Sequence, residues 1–404
     1  MIFGNIQTLA YALLITASVV AGCKKKDDAV NPANGNVVNT NIPVDTTMLV
    51  TQANHINIQY SGRIDFSNTL APAYSFPGIS IKATFQGPAI DVIIKDYAVG
   101  GATTTNYYNV LIDGAIKKVL KVNYTDTLYM IARDLTDADH TIEVFKITEA
   151  QVGKSSFKGF RLRTGKSLVS STSAPSRKIE FIGDSFTCGY GDEVSIAYPA
   201  GNPNTGFHSV NENNYKAWGA VVCRTLNAQY MCTAYSGRGV YRNNTGSTTG
   251  TVPSFYNRIH PDDAASSWTV SNYIPDVVVV HLGTNDFAPE AGTPASALDS
   301  ASFVNAYISF VNTIRSNYPS ADIICTVPNS MTDYYPSGSK WLTRVTNYHH
   351  AIVNHFTTGG DTKVHYFALT PQSTPFGEDF HPTSATQQSM SDQIVPTIKT
   401  IKGW

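Results

Sequence analysis

The stretch Phe181-Ile-Gly-Asp-Ser-Phe-Thr-Cys-Gly-Tyr-Gly191 ends an apolar run and breaks at Gly183-Asp184-Ser185. Ile179–Ile182 reads as a short buried strand, and the residues after the break open a helix. This puts a serine on a strand-to-helix turn, where unpaired N–H groups point outward. A serine hydroxyl becomes a nucleophile only when a base takes its proton and fixed donors receive the oxyanion. The turn supplies donors, so the base has to come from another part of the chain.

Beyond that turn, strands are predicted at Gln229–Ala234, Val277–Leu282, Ile323–Val327 and Val364–Leu369, with helical stretches between them. One helix gathers Phe303, Tyr307, Phe310, Val311 and Ile314 on a single face. The last carries Met390, Ile394, Val395, Ile398 and Ile401, with Pro396 expected to kink or shorten it. Strands alternating with helices predict a parallel sheet covered on both faces, with any site at the carboxyl ends of its strands.

From 48 to 168 the pattern is different. Ile56-Asn-Ile-Gln-Tyr60, Ile79-Ser-Ile-Lys-Ala-Thr-Phe85, Ile90-Asp-Val-Ile-Ile94 and Thr141-Ile-Glu-Val-Phe-Lys-Ile147 alternate, and Asn109-Val-Leu-Ile-Asp-Gly114 ends on a turn signal. Short strands without helices predict a β-sandwich or jelly roll. A polar linker over 169–177 separates it from the α/β part, 178–404.

Carboxyl ends of the predicted strands hold Gly183-Asp184-Ser185, Ser236-Gly237-Arg238-Gly239, Gly283-Thr284-Asn285-Asp286 and Glu378-Asp379-Phe380-His381-Pro382. This order resembles the SGNH (GDSL-type) hydrolases over about Lys178 to the C-terminus. Ile179–Gly191, Ser236-Gly-Arg-Gly-Val-Tyr-Arg242 and Asp379-Phe-His-Pro382 resemble carbohydrate esterase family 2 more narrowly. So do Gly62-Arg-Ile-Asp-Phe66, Ile112-Asp-Gly114 and His140-Thr-Ile-Glu-Val-Phe-Lys146 in the first half. The resemblance implies a flavodoxin-like domain with a five-stranded parallel sheet behind a jelly roll. It also implies deacetylation of plant polysaccharides such as xylan or glucomannan, without metal or cofactor.

On that resemblance Ser185 is the nucleophile and His381 the base. The backbone N–H groups of Ser185 and Gly237 and the amide of Asn285 form the oxyanion hole. Asp379, two residues before the histidine, is the expected carboxylate. Glu378 is the alternative, and a backbone carbonyl or a bare Ser–His dyad are the others. Structural readings stand beside these: Asp184 as a turn-former, Asn285 and Asp286 as helix caps, Pro382 fixing His381 at a helix N-cap. Trp218 reads as core and His281 as a satisfied buried polar group, while the His349-His350 pair is expected to face solvent. Arg238 and Arg242 either bind substrate hydroxyls or hold the rim through ion pairs. The polar stretches 198–214 and 243–257 read as rim loops, offering Tyr198, Phe207 and Tyr256 as sugar platforms.

A formal net charge of -1 gives no pull toward nucleic acid or anionic lipid. Ile6–Ala21 is apolar but short for a membrane span and reads as a signal-peptide core, making 1–22 a leader. Val20-Ala21-Gly22-Cys23 resembles a lipobox, which implies acylation of Cys23 and an extracytoplasmic protein held at a membrane. The n-region departs from the norm in having no Lys or Arg before Leu9. Residues 23–47 read as a flexible tether. Cys223 and Cys232 could close a loop, but free buried thiols are expected for Cys188, Cys223, Cys232 and Cys325. Two other readings stay open: esters of other acetylated glycans or of small lipids, the lipids alone being favoured by an extended apolar groove where the rim loops read as polar, and a carbohydrate-binding lipoprotein whose hydrolase site has decayed.

Overall fold

The structure, a computed structural model, describes residues 47–292 and 296–404. The expected leader, the tether to residue 46 and Cys23 lie outside the described residues.

The first half is two packed antiparallel sheets. In one, Met48–Gln52, Ser155–Arg163, Ile90–Asp96 and Leu128–Ala132 lie side by side, and Ala73–Tyr74 pairs with Ser155–Arg163. The other runs Leu168–Val169, Ser80–Gln86, Asp139–Lys146, Tyr107–Ile112, Ala115–Lys121, with Gln59–Ser61 added on Ser80–Gln86. Alternation explains the packing: Ile81, Ala83 and Phe85 turn inward to meet Val92, Val144 and Phe160. Leu168–Val169 and Arg177–Gly183 are both strands, which narrows the linker to 170–176.

The second half is a parallel sheet ordered Ala228–Ala234, Arg177–Gly183, Val277–His281, Asp322–Val327, Val364–Ala368. Its central strands are mostly apolar because helices cover both faces, with Glu180, His281 and Thr326 as buried exceptions. Trp218–Thr225 and Ser384–Lys402 pack on one side, Ser300–Asn317 and Trp341–Thr358 on the other. Trp218 is core, as its neighbours suggested. The final helix runs through Pro396 without shortening. His349 contradicts the solvent-facing expectation: it is fully buried among Phe303 and Tyr307, with Nδ1 on the Val345 carbonyl at 2.9 Å. Cys188, Cys223, Cys232 and Cys325 are free and buried.

The halves meet through buried charge. The Arg63 guanidinium, from the sandwich, pairs with Glu180 on the first parallel strand at 2.9 Å, both side chains having no exposure. Glu180 also accepts from Thr233 Oγ1 at 2.7 Å and Tyr256 Oη at 3.0 Å. Both Glu180 oxygens thus have donors, which offsets the desolvation of the pair, while Arg63 Nε is buried without a partner among the described residues.

Candidate active site

Ser185 begins the short helix Ser185–Cys188, whose N-cap is Asp184. Asp184 Oδ1 accepts the Phe186 N–H at 3.1 Å, which holds the turn in the shape its sequence suggested. Asp184 Oδ2 accepts from Asn285 Nδ2 at 3.1 Å. Burial pushes the Asp184 carboxyl up to about 7, with Asp286 nearby adding to the shift. The Asn285 nitrogen also donates to the Arg238 carbonyl at 3.0 Å. Both amide hydrogens are therefore engaged, and an oxyanion has to displace the Arg238 carbonyl to receive one.

Ser185 Oγ lies 2.7 Å from His381 Nε2. The imidazole is carried by a tight turn, Gly377–His381, and its Nδ1–H donates to the Glu378 carbonyl at 2.9 Å. The same carbonyl accepts the His381 backbone N–H at 2.9 Å. Burial lowers the His381 pKa from 6.5 to about 4, opposed by the Glu378 carbonyl and the Asp379 charge. The ring is therefore an unprotonated acceptor at neutral pH. Tyr190 stacks on it, ring centroids 4.0 Å apart, and Phe186 packs at 5.1 Å.

The expected carboxylate partner is not there. Asp379 takes left-handed backbone angles (φ 47°, ψ 41°), and its side chain goes elsewhere. It accepts the Tyr190 hydroxyl and, at 2.9 Å, the Gly206 N–H. Nor does the Glu378 carboxylate reach His381: it is held by the His208 N–H at 3.0 Å, His208 Nδ1 at 2.7 Å and Asn211 Nδ2 at 2.7 Å. Of the partners weighed for the histidine, the structure puts a main-chain carbonyl in place. His381 also lies outside the last helix: Thr383 is the N-cap, so Pro382 does not fix the histidine there.

Gly237 sits at φ 77°, a conformation that favours glycine. Among the described residues no acceptor faces its N–H or that of Ser185. Asp286 does not cap its own helix. It accepts the N–H groups of Val240, Tyr241 and Arg242 at 3.1, 2.8 and 2.9 Å and so holds the loop that follows Gly237. Arg242 Nε donates to the Asp286 carbonyl at 2.6 Å, so Arg242 belongs to the wall. The Arg238 guanidinium stacks 4.9 Å over Tyr235 at the cavity. His281 is buried as expected, but only half satisfied: Nδ1 meets Thr326 Oγ1 at 2.9 Å, while Nε2 has no partner among the described residues.

Ser185, Gly237, Arg238, Asn285 and His381 open on one cavity of about 1550 Å³, which Thr103 and Gln151 of the sandwich also line. Tyr198 and Phe207 line it too, whereas Tyr256 is fully buried and forms no platform. Tyr334, Tyr335 and Trp341 line it without having been singled out in the sequence, because nothing in their local pattern separates a rim aromatic from a core one. Glu149, Cys188 and Glu212 place ligand atoms within 4.8 Å of one another, and the cation among them is Lys146, whose Nζ donates to the Thr148 and Glu149 carbonyls at 2.6 and 3.1 Å.

A serine against a neutral histidine, at the rim of this parallel sheet, is the arrangement of an SGNH-fold ester hydrolase. Residues 181–388 match the GDSL-like Lipase/Acylhydrolase family, and residues 60–171 match the family described as Carbohydrate esterase 2 N-terminal. The chain is 33% identical to a family two carbohydrate esterase from Clostridium thermocellum, solved in complex with cellohexaose, at TM-score 0.76 over 86% of this chain and 99% of that one. It is a member of carbohydrate esterase family 2. It is 35% identical to "Cellulase/esterase CelE" of Acetivibrio thermocellus over 86% of this chain, while spanning 40% of that protein's length. It is 25% identical to "Acetylxylan esterase / glucomannan deacetylase" of Cellvibrio japonicus, over 86% of this chain and 90% of that one.

Proposed function

We propose that the protein removes O-acetyl groups from plant polysaccharides of the xylan or glucomannan type, or from their oligosaccharides. The observation that carries this is the 2.7 Å contact between Ser185 Oγ and His381 Nε2 in a cavity wide enough for several sugar rings. The names of the relatives supply the substrate class.

Ser185 Oγ attacks the acetyl carbonyl while His381 Nε2 takes its proton. The negative charge that forms on the carbonyl oxygen meets the N–H groups of Ser185 and Gly237 and the amide of Asn285. The Glu378 carbonyl holds the imidazolium through Nδ1–H, and the Asp379 charge favours it from a distance. His381 then protonates the departing sugar oxygen, leaving an acetyl-serine. A water molecule attacks that ester with His381 taking its proton, and the imidazolium returns the proton to Ser185 Oγ as the acyl–oxygen bond breaks and acetate leaves. Arg238, Tyr198 and Phe207 stand where sugar hydroxyls and ring faces would lie.

Acetate release from acetylated xylan, acetylated glucomannan and p-nitrophenyl acetate, with Ser185→Ala alongside, tests this. Release from a polysaccharide that disappears in Ser185→Ala is expected. Turnover of the small ester alone would remove the polysaccharide from the reading.

We further infer that the protein is an extracytoplasmic lipoprotein anchored through acylated Cys23; the supporting observation is Val20-Ala21-Gly22-Cys23 after the apolar run. Membrane fractionation of wild type against Cys23→Ser checks it: the wild type should sediment with membranes and the variant should not.

A further inference from the structure

Gly237 has two neighbours that decide where its N–H points, and one of them is anchored from the other half of the molecule. Ser236 N–H donates to Glu149 Oε2 at 2.8 Å, and Ser236 Oγ donates to Glu149 Oε1. Glu149 lies in the sandwich, just before the strand Ser155–Arg163, and is fully buried. It is itself tightly held. Its Oε1 accepts from Gln151 Nε2 at 2.8 Å, its own N–H donates to Glu212 Oε2 at 3.0 Å, and its carbonyl accepts from the buried Lys146 ammonium at 3.1 Å. On the far side of Gly237 the Asn244 N–H donates to the Gly237 carbonyl at 3.0 Å, and the Arg238 N–H reaches the Tyr235 carbonyl at 3.4 Å.

We infer that Glu149 is a positioning residue for ester hydrolysis: its buried carboxyl group grips Ser236 at the N–H and the hydroxyl, and so sets the direction of the following peptide, whose Gly237 N–H faces the reacting carbonyl. The inference rests on the reading of Gly237 as an oxyanion donor. Donors bonded to a carboxylate are held by roughly twice the strength of a neutral pair. A left-handed glycine has many accessible conformations, so an unanchored loop would let the N–H wander. A carboxylate this close to a forming oxyanion also repels it. That cost is limited because Ser236 and Gln151 direct dipoles at the Glu149 carboxyl group, and because burial raises its pKa while the Lys146 ammonium on its main-chain carbonyl counters the acids Glu149 and Glu212. In this arrangement the sandwich contributes to the chemical step without touching the substrate.

The test compares wild type, Glu149→Gln, Ser236→Ala and Ser185→Ala by steady-state hydrolysis of p-nitrophenyl acetate, inhibition by phenylboronic acid and thermal unfolding. The boronate forms a tetrahedral adduct on serine and needs the oxyanion donors, whereas KM reports mainly ground-state binding. Glu149→Gln loses the charge and one of the two acceptors that hold Ser236 and Gln151, and should cut kcat roughly 10- to 100-fold, weaken the boronate by a similar factor and leave KM within about twofold. Ser236→Ala removes only the hydroxyl tie and should lower both by roughly fivefold or more. It is also the variant that decides the matter if Glu149→Gln does not fold. Folded variants with unchanged kcat and boronate affinity would overturn the inference while an inactive Ser185→Ala upheld the esterase reading. An inactive wild type that does not bind the boronate would remove that reading and the inference with it.

Discussion

His381 shows what a single ring gains from its surroundings. A histidine pushed down to about 4 stays a base across the range in which an ordinary one, near 6.5, becomes protonated. kcat/KM should therefore hold from neutral pH downward and fall only as pH passes through about 4, which a pH–rate profile on p-nitrophenyl acetate reads directly. The Asp379 charge raises the His381 pKa, so Asp379→Asn should move that acid limb to still lower pH while reducing the plateau. An unmoved limb would mean that Asp379 serves only to hold Tyr190 and Gly206. Asn285→Ala should cost roughly 10²–10³ in kcat with KM little changed, if its amide meets the oxyanion. Sequence showed which residue types gather at the rim. It did not show that Asp379 turns away, because spacing along the chain says nothing of a left-handed φ.

The turn that carries the histidine depends on a neighbour that has no side chain. Gly191, at φ 61°, passes so close to the turn that a Cβ there would lie 2.5 Å from Glu378 Cβ and 2.7 Å from Glu378 N. Gly191→Ala should destabilise the fold by roughly 1–3 kcal/mol through backbone strain alone. Because the displaced backbone is the one whose carbonyl orients His381, kcat should fall further than the loss of folded protein explains; thermal melts and active-site titration of the same samples separate the two. At this scale the sequence was informative: apolar runs marked the parallel strands within a residue or two, since a strand covered by helices on both faces is mostly apolar. Helix starts were less legible. Thr383 outcompetes His381 as a cap because its hydroxyl accepts the Thr386 N–H at 3.2 Å, a choice visible only once the preceding turn is built.

The two halves share more than a border. Arg63→Ala would leave the Glu180 carboxylate buried without its counter-charge, and should cost roughly 3–5 kcal/mol. Urea unfolding should show it, with the joint replacement Arg63→Met and Glu180→Gln less damaging than Arg63→Ala alone. Neither this pair nor the Glu149 contact could be read from sequence, since each joins residues more than eighty positions apart with no local pattern between them. Both lie away from 170–176, the exposed strip that joins the halves covalently. That strip is therefore dispensable as a bond. A single proteolytic cut within it should leave two fragments that migrate together under native conditions and keep their esterase activity, and the same fragments, expressed as separate chains, should reassemble into a working enzyme.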